Sequence, residues 1–185
     1  MYTKAFIIKK VAWEDFTCVI GWASFMAFIG IEYSIGTHGG GTHQWNVLYR
    51  EVQYNWRYSN YGDIVYSLAL LFTKLSILLL ILRVFCSVHK HSGYWCTLGL
   101  IWLNSIFYTV YFFIPFFSCT PRSKIWAPDT LGVCLQINVL YYASAIFNVI
   151  SEFLMLTVPI FLIWNLQMSV RRKVGISAIF LTGGL

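Results

Sequence analysis

Lys74 and Glu152 each sit inside a long apolar run. An ionised side chain there is costly unless it pairs, snorkels or faces water. Lys74 lies roughly 13 Å of helix before Arg83, where its run ends, and Glu152 roughly 18 Å before Trp164. On antiparallel neighbours those distances place the two charges at similar depth. Asn148 is one turn before Glu152 on the same face. Lys74, Glu152 and Asn148 are therefore a candidate intramembrane polar cluster, and Asn104 is a further candidate member. The simplest chemistry is a structural ion pair or a snorkelled lysine, ahead of a ligand contact. A proton or ion relay is the functional alternative, but one acid and one lysine are few for it.

Asp63 and Ser67 fall on the Lys74 face, because eleven residues return a helix to nearly the same angle. Asp63 is the candidate at the mouth of any pocket, either as an interfacial charge or as a partner for a cationic group. His38 and His43 flank a glycine run, but two histidines without a carboxylate or thiolate make a weak metal site. His89 and His91 flank Lys90 and suit a surface. The chain contains no nucleophile elbow, P-loop, H-E-x-x-H or G-x-G-x-x-G. A non-enzymatic protein is expected, with no metal and no cofactor.

The elements that must position these residues are apolar helices. Hydrophobic residues make up 58% of the chain and charged ones 11%. A soluble domain of this length has too little interior to hide that surface. A bilayer accommodates it, provided the backbone satisfies its own hydrogen bonds. Four runs are long enough to span the hydrocarbon: Phe16–Ile35, Ile64–Phe85, Tyr94–Phe117 and Ile137–Leu166. A fifth, Val174–Leu185, is about half a span. The expected fold is an all-α transmembrane bundle, four full spans and a truncated fifth, in one domain over residues 1–185. No cleavable signal precedes it, and the sequence reads as a fragment at both ends.

Positive charge sets the expected orientation. One side holds Lys4, Lys9, Lys10, Arg83, Lys90 and the basic loop Arg171, Arg172, Lys173, eight in all. The other holds Arg50, Arg57, Arg122 and Lys124, only four. The first side is expected to be cytoplasmic, with the N-terminus inside. The charges are split among short loops with no stripe to track phosphates, so nucleic acid is not an expected partner. The lipid bilayer is.

Gly36–Asn60 is expected to be the first outer loop. Its consecutive glycines oppose helix, and Trp45, Tyr49, Tyr54, Trp56 and Tyr58 suit the headgroup level. Cys119 and Cys134 share the second outer loop, which faces an oxidising compartment, and are the candidate disulfide. Cys18 and Cys96 are membrane-embedded. Cys86, at the inner boundary, is a weak candidate for palmitoylation.

An ordered series of motifs resembles the fungal rhodopsin-domain family of integral membrane proteins, which includes GPCR-like receptors. Trp13-Glu14-Asp15 resembles its tryptophan-acidic entry. Gly36-Thr37-His38 is an imperfect form of its G-x-G-x-H loop. Thr73-Lys74-Leu75-Ser76-Ile77-Leu78 with Leu82-Arg83-Val84-Phe85 is similar to its T-K-L-S-I-L…L-R-I-F helix. Cys119-Thr120-Pro121, Trp126 and Cys134 resemble its second outer loop. Asn148-Val149-Ile150-Ser151-Glu152 with Leu156, Pro159, Trp164 and Leu166-Gln167 resembles its N-x-I-x-D…L-P…W-x-L-Q helix, with Glu152 where Asp is usual. Arg172-Lys173-Val174-Gly175, Phe180 and Gly183-Gly184 resemble the start of its sixth helix.

The resemblance implies helices two to five and part of six of a seven-helix fold. It implies a GPCR-like receptor or sensor of an extracellular cue, at the plasma membrane, with an unknown small ligand and a cytoplasmic signalling partner. Retinal is not expected, because the attachment lysine of retinal-binding rhodopsins lies on the seventh helix. A transporter or channel subunit, or a non-functional membrane remnant, is the alternative.

Overall fold

The computed structural model describes residues 13–85 and 92–164. Four helices fill them: α1 (Trp13–Thr37), α2 (Tyr49–Phe85), α3 (Ser92–Phe117) and α4 (Ile137–Trp164). All four are long and apolar enough to cross a membrane. The chain is an all-α transmembrane bundle. The expected fifth span, Cys86, the Lys90 loop and the basic loop Arg171–Lys173 lie outside the described residues.

α1 opens with Glu14 and Asp15, whose charges suit the positive end of the helix dipole. It stops at a glycine turn. Gly39 adopts φ 82°, a conformation costly for other residues. The Gly40 N–H caps the Ile35 carbonyl at 2.9 Å. Midway, α1 crosses α2 closely at Gly21. A Cβ there would stand 2.9 Å from Thr73 Oγ1 and 3.1 Å from the Thr73 nitrogen. The missing side chain is what lets these helices pack.

The loop expected over Gly36–Asn60 requires correction. Only its first part is irregular. From Tyr49 onward the chain is helical, and α2 runs unbroken for 37 residues, or about 55 Å. That exceeds the roughly 30 Å hydrocarbon by several turns. The consecutive glycines oppose helix only up to Gly41; beyond Tyr49 the residues Arg50, Glu51, Gln53 and Asn55 are compatible with helix, and no glycine or proline interrupts them. Contacts one turn apart support the projecting turns. The Tyr54 and Tyr58 rings stack at 4.0 Å, and Arg57 Nε donates to the Tyr61 hydroxyl at 3.3 Å.

α2 is the central helix, with α1 on one side and α3 on the other. α4 meets α2 and α3 over a small apolar layer of Leu78, Leu100 and Met155, flanked by Ile101 and Val158. Much of the remaining apolar surface is outward-facing, including Trp22, Trp102, Phe153 and Phe161. Lipid is the solvent that can cover it.

Between α3 and α4 the chain makes a two-strand hairpin, β1 (Cys119–Thr120) antiparallel to β2 (Val133–Cys134), which sequence periodicity did not reveal. Cys119 and Cys134 face each other across it and form a disulfide. This is the hairpin end of the bundle. The opposite end carries Glu14 and Arg83, which form an ion pair joining the start of α1 to the end of α2.

Candidate functional site

The polar cluster forms where α2, α3 and α4 meet. Lys74 is 3% exposed. Its Nζ lies 3.9 Å from Glu152 Oε1, within ion-pair range and beyond hydrogen-bond reach. Its hydrogen bonds go elsewhere, to Ser151 Oγ at 3.1 Å and the Asn148 carbonyl at 3.3 Å. The Tyr108 ring face stands 5.3 Å from the ammonium. A cation so placed is attracted by the ring quadrupole.

The surrounding groups close into a network. The Ser151 hydroxyl donates to Asn104 Oδ1 at 2.5 Å, and Asn104 Nδ2 donates to the Leu100 carbonyl at 2.9 Å. Asn148 Nδ2 donates to Glu152 Oε1 at 3.1 Å, and Asn148 Oδ1 accepts from Tyr108 at 2.8 Å. Each polar group thus has a partner in a region where an orphan would be costly. The Glu152 side chain is 43% exposed, so the pair opens to one side.

Lys74, Glu152, Asn148 and Asn104 come together as neighbours. Ser151 and Tyr108 complete the network, and sequence reasoning missed both as polar partners. Ser151 lies one helical turn from Asn148, a spacing that offered a signal once Asn148 was chosen.

Asp63 sits nearer the hairpin end. Its Oδ2 accepts from the Tyr141 hydroxyl at 2.7 Å. It lines a cavity of about 30 Å³ with Asn60, Tyr111 and Pro115, which has room for water only. Ser67 is fully buried and bonds the Ile64 carbonyl. His38 and His43 do not converge on each other. His38 stacks on Tyr54 and lies 3.9 Å from Glu51, whereas His43 stacks on Trp45.

A larger feature was not foreseen. At the hairpin end an open cleft of about 670 Å³ lies between the projecting turns of α2 and the disulfide loop. Arg50, Tyr54, Arg57, Tyr58 and Tyr61 line one wall, and Trp126 contributes from the loop. These α2 residues follow i, i+4, i+7, i+8, i+11 and so share one face. In a loop these five residues would share no face; the stripe exists only because the segment is helical.

The scaffold that holds these features corresponds to a known one along its whole length, since the fungal rhodopsin domain model matches residues 1–185. The chain belongs to the fungal rhodopsin domain family. Within curated proteins, this fungal rhodopsin domain is similar to a "SAT4 family membrane protein" of Emericella nidulans, 44% identical over 163 residues, covering 88% of this chain and 42% of that protein. It is 25% identical to "Fugralins biosynthesis cluster protein 2" of Gibberella zeae, over 97% of this chain and 46% of that protein. It is 27% identical to "Satratoxin biosynthesis SC1 cluster protein 4" of Stachybotrys chartarum, over 64% of this chain and 44% of that protein. The chain thus spans less than half the length of these relatives. No solved structure is a significant match. With its four candidate spans, it is a multi-pass membrane protein.

Proposed function

We propose that this membrane protein is a non-enzymatic, GPCR-like sensor of the plasma membrane. Its hairpin end faces outward and receives a small extracellular molecule in the cleft. Its N-terminus and the basic loop Arg171–Lys173 face the cytoplasm, where a signalling protein docks. One observation carries the reading. α2 is a single helix that lines the cleft with Arg50 and Arg57, supplies Lys74 to the buried network and ends at the Arg83–Glu14 pair. A rigid helix in contact with both sites is one element through which they can be coupled. The names of two relatives refer to biosynthesis clusters, which supports an association with small molecules.

The test fills the cleft covalently. Gln53 lines it, and Gln53→Cys, with Cys18, Cys86 and Cys96 replaced by serine, is coupled to a bulky maleimide in nanodiscs. Hydrogen exchange is then followed in the first turn of α1. Altered exchange at Glu14 is the expected result. Complete labelling without any change there would sink the sensor reading.

The half-exposed Glu152 beside Lys74 favours one second reading, a transporter with that pair on its path. Solute flux in proteoliposomes that is lost in Glu152→Gln would select it.

A further inference from the structure

We propose that the hairpin-end cleft is a binding site for a small aromatic carboxylate. The inference rests on the reading of the cleft as the receiving face and adds the chemistry of what it receives.

Three features of the cleft carry this. The first is size: about 670 Å³ lies within the range of small-molecule sites and takes one or two fused rings with room to spare. The second is charge. Arg50 and Arg57 lie seven residues apart on one face of α2 and both line the cleft. No carboxylate pairs with either among the described residues. The one acid among the described residues of the lining, Glu51, lies 3.9 Å from His38 Nε2, which pairs with it when the imidazole is protonated. Arg57 spends its Nε on Tyr61, which leaves its two terminal nitrogens for the two oxygens of a carboxylate. A planar guanidinium suits that fork and a carboxylate matches it.

The third feature is a set of rings. His38, Tyr54 and Tyr58 form a continuous stack with centroid spacings of 4.1 and 4.0 Å, and Tyr61 meets Tyr58 edge-on. Trp126 stands opposite, with the Arg57 guanidinium carbon 5.3 Å from its ring centre. A flat ligand entering between Tyr58 and Trp126 continues the stack and brings its acid group to Arg57. Rings with few rotatable bonds bind with little loss of conformational freedom. The walls are held by structure as well. The Trp126 loop is closed by the Cys119–Cys134 disulfide, and Tyr54 is tied to α1 by a 2.9 Å bond with Ser34.

The test uses the protein in phosphatidylcholine nanodiscs and titrates 2-naphthoate and its neutral isostere 2-naphthamide, with empty nanodiscs as the blank. The proposal expects saturable 2-naphthoate binding at least tenfold tighter than 2-naphthamide. Arg57→Gln should lose at least tenfold for the acid and less than twofold for the amide. Arg57→Lys, which keeps the charge and loses the fork, should fall between. Each variant is checked for an intact Cys119–Cys134 disulfide by mass, and Arg50→Gln provides an independent second variant expected to weaken the acid selectively. Absence of saturable binding, equal affinity for acid and amide, or unchanged affinity in both arginine variants overturns the proposal. Loss of naphthoate binding when phosphatidylglycerol is added would assign the arginines to lipid headgroups and also overturn it. Acid-selective binding that leaves exchange at Glu14 unchanged would keep the ligand class and remove the sensor reading.

Discussion

Lys74 and Glu152 face each other at 3.9 Å, but the lysine donates its hydrogen bonds to Ser151 and Asn148 instead. The attraction between the charges is therefore Coulombic, with Asn148 bridging by donating to the carboxylate. The two partners are also unequal. Lys74 is enclosed and Glu152 is half-exposed.

That inequality predicts an ordered double-mutant cycle. Glu152→Gln leaves a buried cation without its counter-charge and should cost about 3 kcal/mol. Lys74→Met leaves a carboxylate that can reach a more polar surrounding, and should cost less. The double mutant should recover part of the loss. Chemical denaturation in detergent measures all three, and strictly additive losses would show that the charges are not coupled.

Ser151 should matter more than its size suggests. Its hydroxyl accepts from Lys74 and donates to Asn104 at once. Ser151→Ala removes both bonds and leaves the buried Asn104 Oδ1 unmatched, at about 1–3 kcal/mol. Tyr108→Phe removes one bond to Asn148 and keeps the ring face toward Lys74, so its cost should be smaller. Thermal unfolding of the two variants in one detergent should rank Ser151→Ala lower. The reverse order would place the weight of the network on Tyr108.

The disulfide should stabilise the hairpin locally. Closing a loop of this length contributes about 3 kcal/mol. In Cys134→Ser, the Arg122–Ile125 turn and Trp126 should exchange backbone hydrogens faster, whereas α1 should be unaffected. Alkylation of both cysteines in unreduced, correctly inserted protein would contradict the bond.

Orientation is tested at the start of α3. Ser92 lies at the Arg83 end, which the charge bias assigns to the cytoplasm. Ser92→Cys, with Cys18, Cys86 and Cys96 replaced, should resist an impermeant maleimide in intact cells and react once they are permeabilised. Labelling from outside would invert the topology and place the cleft in the cell.

The sequence by itself determined the membrane class, the four apolar spans and the presence of Lys74 and Glu152 inside two of them. Apolar run length and the energetic penalty on an intramembrane charge are local properties that a chain displays without folding. It also displayed the family, because that resemblance is an ordered set of residues. Tertiary structure decided the rest. Glu14 meets Arg83 across 69 residues, and Lys74 meets Ser151 across 77, separations for which sequence offers no register. The spacing of Ser151 from Asn148 places it on the cluster's face, but a serine or tyrosine hydroxyl carries no signal of its own partner, so the bonds of Ser151 and Tyr108 emerged only from packing. The cleft was hidden for a different reason. Arg50, Tyr54, Arg57, Tyr58 and Tyr61 share a face only if the backbone there is helical, and polarity outside the bilayer is compatible with either loop or helix. Contacts of that segment with the end of α1, Tyr54 on Ser34 and Asn55 on the His38 carbonyl, accompany the helical state and align the stripe.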